Sequence, residues 1–356
     1  MPEKFRVAFA GVHRSLQTTP GGHNWGSAFA PVEDVHVVAA YDAGQETKEQ
    51  FCATWKHVWG DIVPYGDYKR MLEEVKPDIL CLATRQTYHA DQIVAAVDAG
   101  VQGIVCDKPL VTTLDEGDRI FKACTDGKVP FAYGTELRWG EPYIKISDMV
   151  RGGAVGKVTS ILACGVSDLV NHGCHWYDTA LHLVGDPEPV WVSGILSDMS
   201  HLPPDDFRHG DPAGRAWVGL DNGVTMFVVP EGGNRAFTIL GDAGRIDVLN
   251  EAGQAFLYEF DSDAKAHGRP HEIELPKSAE PWPRGPATIL DLLNAMRTGG
   301  QTSCDIPHAR RATEIGFAIH ESNALGGARV ELPVSNRTRR IDSREWGNEE
   351  PNQPVR

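Results

Sequence analysis

The chain has 356 residues, a length that suits two domains. Of these, 41% are hydrophobic and 23% charged, a composition typical of globular proteins. Its net charge is −15, from 34 Lys and Arg against 49 Asp and Glu. This argues against nucleic acid or an anionic membrane as a partner. The lack of an apolar run of about 18 residues and of a signal-peptide pattern predicts a cytoplasmic protein. The seven scattered cysteines predict reduced thiols, with neither a disulfide framework nor a metal site.

Residues 1–135 alternate short apolar segments with helical patterns, which predicts a parallel sheet with right-handed crossovers. The predicted strands are residues 5–11, 35–42, 77–84, 101–107 and 129–133. Helices are predicted at residues 67–75, 89–99 and 114–125, and about one more helix is predicted between the first two strands, together with a long turn, His13–Gly26. We therefore predict an N-terminal Rossmann domain, a doubly wound parallel sheet that binds a dinucleotide.

The first two strands have the pattern of a dinucleotide-binding unit with an altered glycine loop. The first ends at Gly11 and the second at Asp42, an acid placed to bind ribose hydroxyls. His13 stands where a second glycine is expected, and Arg14 either assists the pyrophosphate or is an exposed loop residue. A carboxylate repels a 2′-phosphate, so Asp42 favours NAD over NADP. The alternative for Asp42 is an ordinary residue of a strand-end turn.

A second ionisable site follows the predicted strand that begins at residue 101. Asp107 and Lys108 come directly before Pro109, which cannot donate a ladder hydrogen bond and so ends the strand. The carboxyl ends of parallel strands are where ligands bind in such sheets. Asp107 and Lys108 are therefore candidate site residues, and the alternative is a solvated charge pair.

Residues 136–336 follow a different pattern, which predicts an α+β domain with an antiparallel sheet of several strands. Its predicted helices are residues 143–151, 173–184, 287–298 and 308–324. Its predicted strands are residues 158–166, 190–196, 215–220, 224–229, 235–240, 245–249 and 255–260, with a hairpin turn at residues 221–223. Residues 337–356 form a polar tail, expected to be a surface arm or partly disordered.

Three histidines and an acid fall close together at the start of the helix predicted from residue 173. His175, Asp178 and His182 have spacings of three and four and share one helix face, and His172 precedes them. A general acid or base, a metal site and a set of structural polar contacts between domains are all compatible with this spacing. The spacing alone leaves the three interpretations open.

Taken together, these motifs and their order resemble the Gfo/Idh/MocA family of glucose-fructose oxidoreductases and inositol dehydrogenases. The motifs are Gly11, Asp42, Ala83-Thr84 with His89, Asp107-Lys108-Pro109-Leu110, Arg138 ahead of Pro142-Tyr143, the segment 152–158, and Gly173-Cys174-His175-Trp176-Tyr177-Asp178. The resemblance spans about residues 5–335. It implies a Rossmann domain followed by a domain with an open antiparallel sheet. It also implies oxidation or reduction of a hydroxyl-bearing carbon on a sugar or cyclitol with NAD or NADP.

The resemblance assigns roles to individual residues. Lys108 matches the lysine that orients the reacting hydroxyl and takes part in proton transfer, and Asp107 stands in place of the usual glutamate. His175 matches the proton-accepting histidine, but Asn171 replaces the aspartate four residues before it. An amide holds no negative charge, so we expect His175 to be less basic than in typical relatives. The cofactor is expected against Gly11, His13, Arg14, Asp42, Thr84, His89, Asp107 and Lys108.

The sequence thus predicts an NAD-dependent oxidoreductase acting on a secondary alcohol of a polyhydroxylated small molecule, with no metal. We expect Lys108 to act as base or donor in a relay with His175. The residues expected to bind the substrate are Glu136, Arg138, Asn171, His172 and Asp178. Trp139 and Trp176 either stack on a sugar ring or pack in the core. An NAD-assisted hydrolase or lyase and a non-catalytic sensor are the alternatives. A homodimer or homotetramer is expected because an open sheet face usually pairs.

Overall fold

The structure, a computed structural model, describes residues 4–203, 206, 209–233, 235–260 and 270–341. In these ranges the chain forms a six-stranded sheet near its N-terminus and a nine-stranded sheet after it. Both sheets and their helices agree with the predicted fold class, which is therefore confirmed. The two sheets differ in strand direction, and the site lies where the first sheet faces the second domain.

The first sheet is parallel throughout, with the order β3-β2-β1-β4-β5-β6. Its strands are β1 (Phe5–Ala10), β2 (Val35–Tyr41), β3 (Val63–Tyr65), β4 (Ile79–Leu82), β5 (Gly103–Cys106) and β6 (Phe131–Tyr133). Its helices are α1 (Trp25–Phe29), α2 (Gln45–Trp59), α3 (Tyr68–Val75), α4 (Gln86–Asp98) and α5 (Leu114–Gly127). The order reverses between β1 and β4, the position where doubly wound sheets bind ligands.

Two elements of this domain were not predicted, α2 and β3. The buried residues Phe51, Trp55 and Trp59 of α2 recur every fourth position and so lie on one helix face. This period was present in the sequence, and α2 could have been found from it. The strand β3 has only three residues, and Val63 is 51% exposed, so it lacks the apolar run that marks a strand.

The second sheet has the order β14-β13-β12-β11-β7-β10-β9-β8-β15, and β7 with β10 is its parallel pair. Its predicted hairpin is confirmed, since β9 and β10 pair antiparallel on either side of residues 221–223. The short strands β14 and β15 were not predicted. The strands are β7 (Val158–Cys164), β8 (Pro189–Leu196), β9 (Gly214–Leu220), β10 (Thr225–Val229), β11 (Ala236–Gly241), β12 (Gly244–Leu249), β13 (Gln254–Glu259), β14 (His271–Glu272) and β15 (Val330–Glu331). The helices are α6 (Glu141–Arg151), α7 (Gly173–Leu183), α8 (Arg284–Thr298) and α9 (Ile306–Ala324).

The chain returns to the first sheet after the second has been built. Leu292 and Leu293 of α8 belong to the same buried apolar cluster as Val7 and Phe9 of β1. A methyl group at Gly103 of β5 would lie 2.6 Å from the Met296 sulfur, so α8 packs directly on the sheet. The predicted boundary between residues 135 and 136 stays a prediction, with α8 as a later segment that packs on the N-terminal sheet.

The first residues of the predicted polar tail are held against the protein. Arg337 donates to Asp118 at 2.6 Å, and the backbone N–H of Ile341 donates to Thr112 at 2.9 Å. Ile341 is 3% exposed. Residues 337–341 therefore lie along the protein surface, and Ile341 is an apolar anchor that charge composition does not reveal. Residues 342–356 lie outside the described part of the chain.

Candidate active site

The turn after β5 brings a carboxylate and an ammonium into the protein interior. Asp107 and Lys108 are 6% and 4% exposed, so the alternative of a solvated strand-end pair does not describe them. The Asp107 carboxylate accepts the backbone N–H of Lys108 at 2.8 Å. A methyl group at Gly134 would lie 2.9 Å from this carboxylate, so the glycine after β6 leaves room for it.

The Lys108 ammonium reaches the segment that precedes α7. Its Nζ donates to Oδ1 of Asn171 at 3.0 Å, and Asn171 is 1% exposed. The amide position is fixed in turn, because the backbone N–H of Asn171 donates to Asp211 at 2.9 Å. The structure thus brings two of the predicted site residues together, Lys108 of the first domain and Asn171 of the second.

The residue after Asn171 is a histidine bound to a buried acid that the sequence reasoning missed. Asp168 Oδ2 lies 2.5 Å from Nδ1 of His172, and Oδ1 accepts the His172 backbone N–H at 2.5 Å. Burial alone would raise the pKa of Asp168, but its hydrogen bonds to His172 and the nearby Lys108 charge lower it. Asp168 four residues before His172 is the signal that could have revealed this pair.

His175 lies in the first turn of α7 and is 3% exposed. Among the described residues its Nδ1 has no hydrogen-bond partner, and a carboxylate oxygen of Glu136 lies 3.9 Å from it. Burial lowers the pKa of His175 well below its ordinary value, and the charges of Arg235 and Lys108 lower it further. The neutral form of His175 is therefore favoured. Burial and nearby cations contribute to this, in addition to Asn171 standing where the family motif has an aspartate.

The long loop after β1 sends a third histidine into the site. Nδ1 of His23 lies 2.7 Å from Oδ1 of Asp107, and its ring centroid is 6.0 Å from that of His175. Asn24 anchors the loop by donating to the carbonyl oxygens of Gln17 and Thr19. Burial alone would raise the pKa of Asp107, but His23 beside it lowers that pKa. His23 was not among the predicted site residues because nothing in the local pattern places it there.

At the carboxyl edge of the first sheet, the turn after β1 lies very close to the backbone that follows β4. Gly11 has φ of +81°, and a methyl group there would lie 2.5 Å from the backbone of Ala83, so only glycine fits. Asp42 accepts the backbone N–H groups of Val12 at 3.0 Å and Gly44 at 2.9 Å. Each carboxylate oxygen keeps a second lone pair for a ribose hydroxyl. The geometry at Asp42 therefore fits the ribose of a dinucleotide.

The predicted pyrophosphate position differs from a standard Rossmann turn. The chain after Gly11 forms a 3-10 helix, His13–Ser15, in which His13 and Arg14 are exposed, and α1 starts only at Trp25. The exposed guanidinium and imidazole offer charge and donors to a pyrophosphate in place of the missing glycine-rich helix start. This departure follows from the altered glycine pattern in the sequence.

His89 and Thr84 hold neighbouring parts of the site together through hydrogen bonds. His89 is fully buried, and its ring nitrogens each lie 2.9 Å from a carbonyl oxygen, one of Thr84 and one of Leu110. It therefore ties the end of β4 to the turn that holds Lys108. The Thr84 hydroxyl lies 2.5 Å from the Gln92 side chain. His89 contacts the protein rather than open space, so the structure places it as a support of the predicted cofactor edge.

Two predicted substrate residues are bound to each other in the interior. Arg138 donates to both carboxylate oxygens of Asp178, at 2.6 and 3.0 Å, and to Asp186 at 3.0 Å. The side chains of Arg138 and Asp178 are 2% and 1% exposed. A bidentate pair of this kind uses the carboxylate oxygens of Asp178 and leaves the guanidinium little capacity for a ligand.

The two tryptophans considered for sugar stacking are also packed against protein. Trp139 donates to Asp291 at 2.8 Å, and Trp176 donates to the carbonyl oxygen of Cys164 at 2.6 Å. The Arg235 guanidinium lies over the Trp176 ring, 4.5 Å from its centroid. The geometry favours core packing for both rings.

Comparison with known proteins identifies the class of the chain. Residues 5–135 match the family model GFO_IDH_MocA, described as an oxidoreductase family with an NAD-binding Rossmann fold. This match covers the N-terminal domain and agrees there with the family that the sequence motifs resemble. The chain contains no helix, in its described ranges, with the length and apolar character needed to cross a membrane.

Curated relatives include several named dehydrogenases. Putative oxidoreductase YteT of Bacillus subtilis is 31% identical over 173 residues, 40% of this chain and 39% of that protein. Inositol 2-dehydrogenase of Salmonella typhimurium is 23% identical over 38% of each chain. D-glucoside 3-dehydrogenase of Escherichia coli is 22% identical over 45% of this chain and 50% of that protein. The matches thus span half or less of these relatives' lengths.

Solved structures share the fold over nearly the whole chain. A levoglucosan dehydrogenase in complex with NADH and levoglucosan has a TM-score of 0.72 at 18% identity, covering 93% of this chain and 100% of that one. An oxidoreductase from Agrobacterium radiobacter in complex with NAD+, L-tartaric acid and magnesium has a TM-score of 0.74 at 16% identity, covering 92% and 98%. These similarities show the two-domain fold.

Proposed function

We propose that the protein is an NAD-dependent oxidoreductase that transfers a hydride between nicotinamide and a secondary alcohol of a sugar, glycoside or cyclitol. The observation that carries the proposal is the buried Lys108, whose ammonium lies 3.0 Å from Asn171 at the carboxyl edge of a dinucleotide-binding sheet. A positive group fixed in a buried cleft can bind a hydroxyl and stabilise the alkoxide that forms as its proton leaves. Several of the curated relatives are named as sugar or cyclitol dehydrogenases.

The cofactor of this proposal is NAD, held at the carboxyl edge of the first sheet. Asp42 would bind the adenosine ribose, Arg14 and His13 the pyrophosphate, and Asp107 would lie near the nicotinamide end. When bound, the nicotinamide supplies the hydride acceptor. Asp42 disfavours a 2′-phosphate by charge repulsion, although two curated relatives, a D-xylose 1-dehydrogenase and a scyllo-inositol 2-dehydrogenase, are named as NADP(+) enzymes.

The roles proposed for this chain's own residues follow from burial and contacts. Lys108 orients the reacting hydroxyl, and a histidine of the site receives its proton, with His175 the candidate from the family resemblance. Glu136, Asn171 and His172 are the residues proposed to contact the substrate around that hydroxyl. Arg138 and Asp178 are assigned to the support of α7 instead, because they pair with each other in the interior.

The test is a panel assay on the full chain with NAD and, separately, NADP. The panel contains myo-inositol, scyllo-inositol, D-xylose, D-glucose, methyl glucoside and levoglucosan, and both reduced nicotinamide and sugar products are measured. Stoichiometric reduced cofactor supports the proposal. Product release without net reduction supports the alternative, an NAD-assisted hydrolase or lyase. Binding of these compounds with neither reaction would overturn both. A cytoplasmic location and a homodimer or homotetramer stay predictions.

A further inference from the structure

His172 and His175 differ in the features that a proton acceptor needs. His175 is buried, and its Nδ1 has no partner among the described residues. The side chain of His172 is 34% exposed, whereas that of its partner Asp168 is 5% exposed. A proton accepted by His172 therefore has a route to water, while His175 would have to hold its charge in the interior.

The contacts of His172 fix which of its nitrogens can accept a proton. Nδ1 lies 2.5 Å from Asp168, and a carboxylate at this distance accepts the Nδ1 proton. The ring is then neutral with a free lone pair on Nε2, and among the described residues Nε2 has no hydrogen-bond partner. The carboxylate also stabilises the imidazolium that forms when Nε2 is protonated, as in other acid-histidine pairs.

The pair lies beside the lysine that orients the hydroxyl. Asn171 receives the Lys108 hydrogen bond on Oδ1, and its Nδ2 lies 3.5 Å from Nδ1 of His172. Lys108 also acts electrostatically on Asp168. Lys108, Asn171, His172 and Asp168 therefore form one continuous polar cluster, which we call the Lys108 cluster. The charge absent at Asn171 is present three residues earlier, at Asp168.

We propose that His172, held by Asp168, is the residue that accepts the hydroxyl proton during oxidation. This rests on the proposed function. In the step, the O–H bond breaks and its proton forms a bond to Nε2 of His172. The carbinol carbon becomes a carbonyl, and its hydride, with two electrons, passes to an oxidised nicotinamide dinucleotide. Asp168 is a positioning residue that keeps Nδ1 protonated, and His172 later releases the proton to water.

A purely structural role for the pair is the competing explanation. Asp168 accepts the backbone N–H of His172 and so also holds the residue at the start of α7. A change at Asp168 therefore alters the backbone as well as the imidazole. The decisive variants keep Asp168 and change only the ring, because restoring a free imidazole in solution repairs a missing base but does not repair a misplaced helix.

The experiment measures kcat of the full chain with NAD and the best substrate of the panel, in wild type, His172→Gln, His172→Ala and His175→Gln. Loss of a general base lowers kcat about 100-fold in His172→Gln. Added imidazole should raise kcat of His172→Ala about 10-fold or more. The kcat of His57→Gln should equal that of wild type and should not respond to imidazole. His57 is exposed on α2 and serves as the matched control.

A second readout does not depend on activity. In histidine-labelled protein without cofactor, NMR should show a low-field Nδ1 proton that is absent in His172→Gln and shifted upfield in Asp168→Asn. Full kcat in His172→Gln, no rescue of His172→Ala, or no such proton would overturn the inference. If wild type reduces no NAD with the panel, the proposed function fails and the proton-acceptor role fails with it. The low-field proton then still shows whether the Asp168 pair exists.

Discussion

Two polar clusters flank α7 and have nearly the same chemistry but different contacts. The Lys108 cluster stands at the start of the helix, and a second cluster, Arg138 with Asp178 and Asp186, lies further along it. In the first, the Lys108 ammonium contacts the Asn171 amide, and in the second, the Arg138 guanidinium contacts two carboxylates. The His172 side chain in the first is 34% exposed, while the Arg138 side chain in the second is 2% exposed.

The difference separates chemistry from support. In the second cluster both oxygens of Asp178 are taken by Arg138, so its charges are compensated inside the fold. In the Lys108 cluster one imidazole edge faces water and the ring beside it, His175, is kept neutral by burial and nearby cations. Changes in the first cluster should therefore alter turnover, and changes in the second should alter stability.

The largest effect is expected for Lys108→Ala. Removing the group that orients the hydroxyl should lower kcat/KM by about 1,000-fold or more, because its charge acts on the developing alkoxide. NAD binding, measured by calorimetry, should change little, since Asp42 and Arg14 lie at other positions of the edge. Lys122→Ala is the matched control, because Lys122 is exposed and pairs with Asp126. Full activity of Lys108→Ala would contradict the site assignment.

Arg138→Met should act on the other cluster. It leaves the buried Asp178 without its partner, which typically costs about 3–5 kcal/mol of unfolding free energy. Urea unfolding at neutral pH measures this cost. Arg119→Met is the control, since Arg119 and Asp91 form an exposed pair worth about 1 kcal/mol or less. A loss of activity in Arg138→Met with unchanged stability would show that Arg138 binds substrate after all.

Site residues that directly follow a strand could be located from the sequence, whereas contacts between residues of different domains could not. Lys108 and Asp107 could be placed because Pro109 ends β5 and parallel strands share one carboxyl edge. The pairing of Arg138 with Asp178 joins residues 40 positions apart, and no local period encodes it. The pairing of Asp168 with His172 could have been predicted from their spacing of four residues. The family motif instead aligned Asn171 with the expected aspartate.

His23 is the clearest case of a site residue that local patterns do not encode, and its removal should have the smallest effect. His23→Ala deletes the 2.7 Å contact to Asp107 and should cost about 1 kcal/mol of stability at pH 7. The folded-state pKa of Asp107 is lowered, partly by His23, despite the opposing effect of burial. That contribution is present above the unfolded value of about 3.9 and is lost as pH falls through the folded-state pKa.

The difference in unfolding free energy between wild type and His23→Ala should therefore shrink below about pH 4. His13→Ala is the control, because His13 lies in the same loop and is exposed. A difference that instead grows below about pH 4 would mean that His23 does not stabilise the ionised Asp107. In that case the loop would fill the space beside Lys108 without setting its charge, and the Lys108 cluster alone would define the chemistry of the cleft.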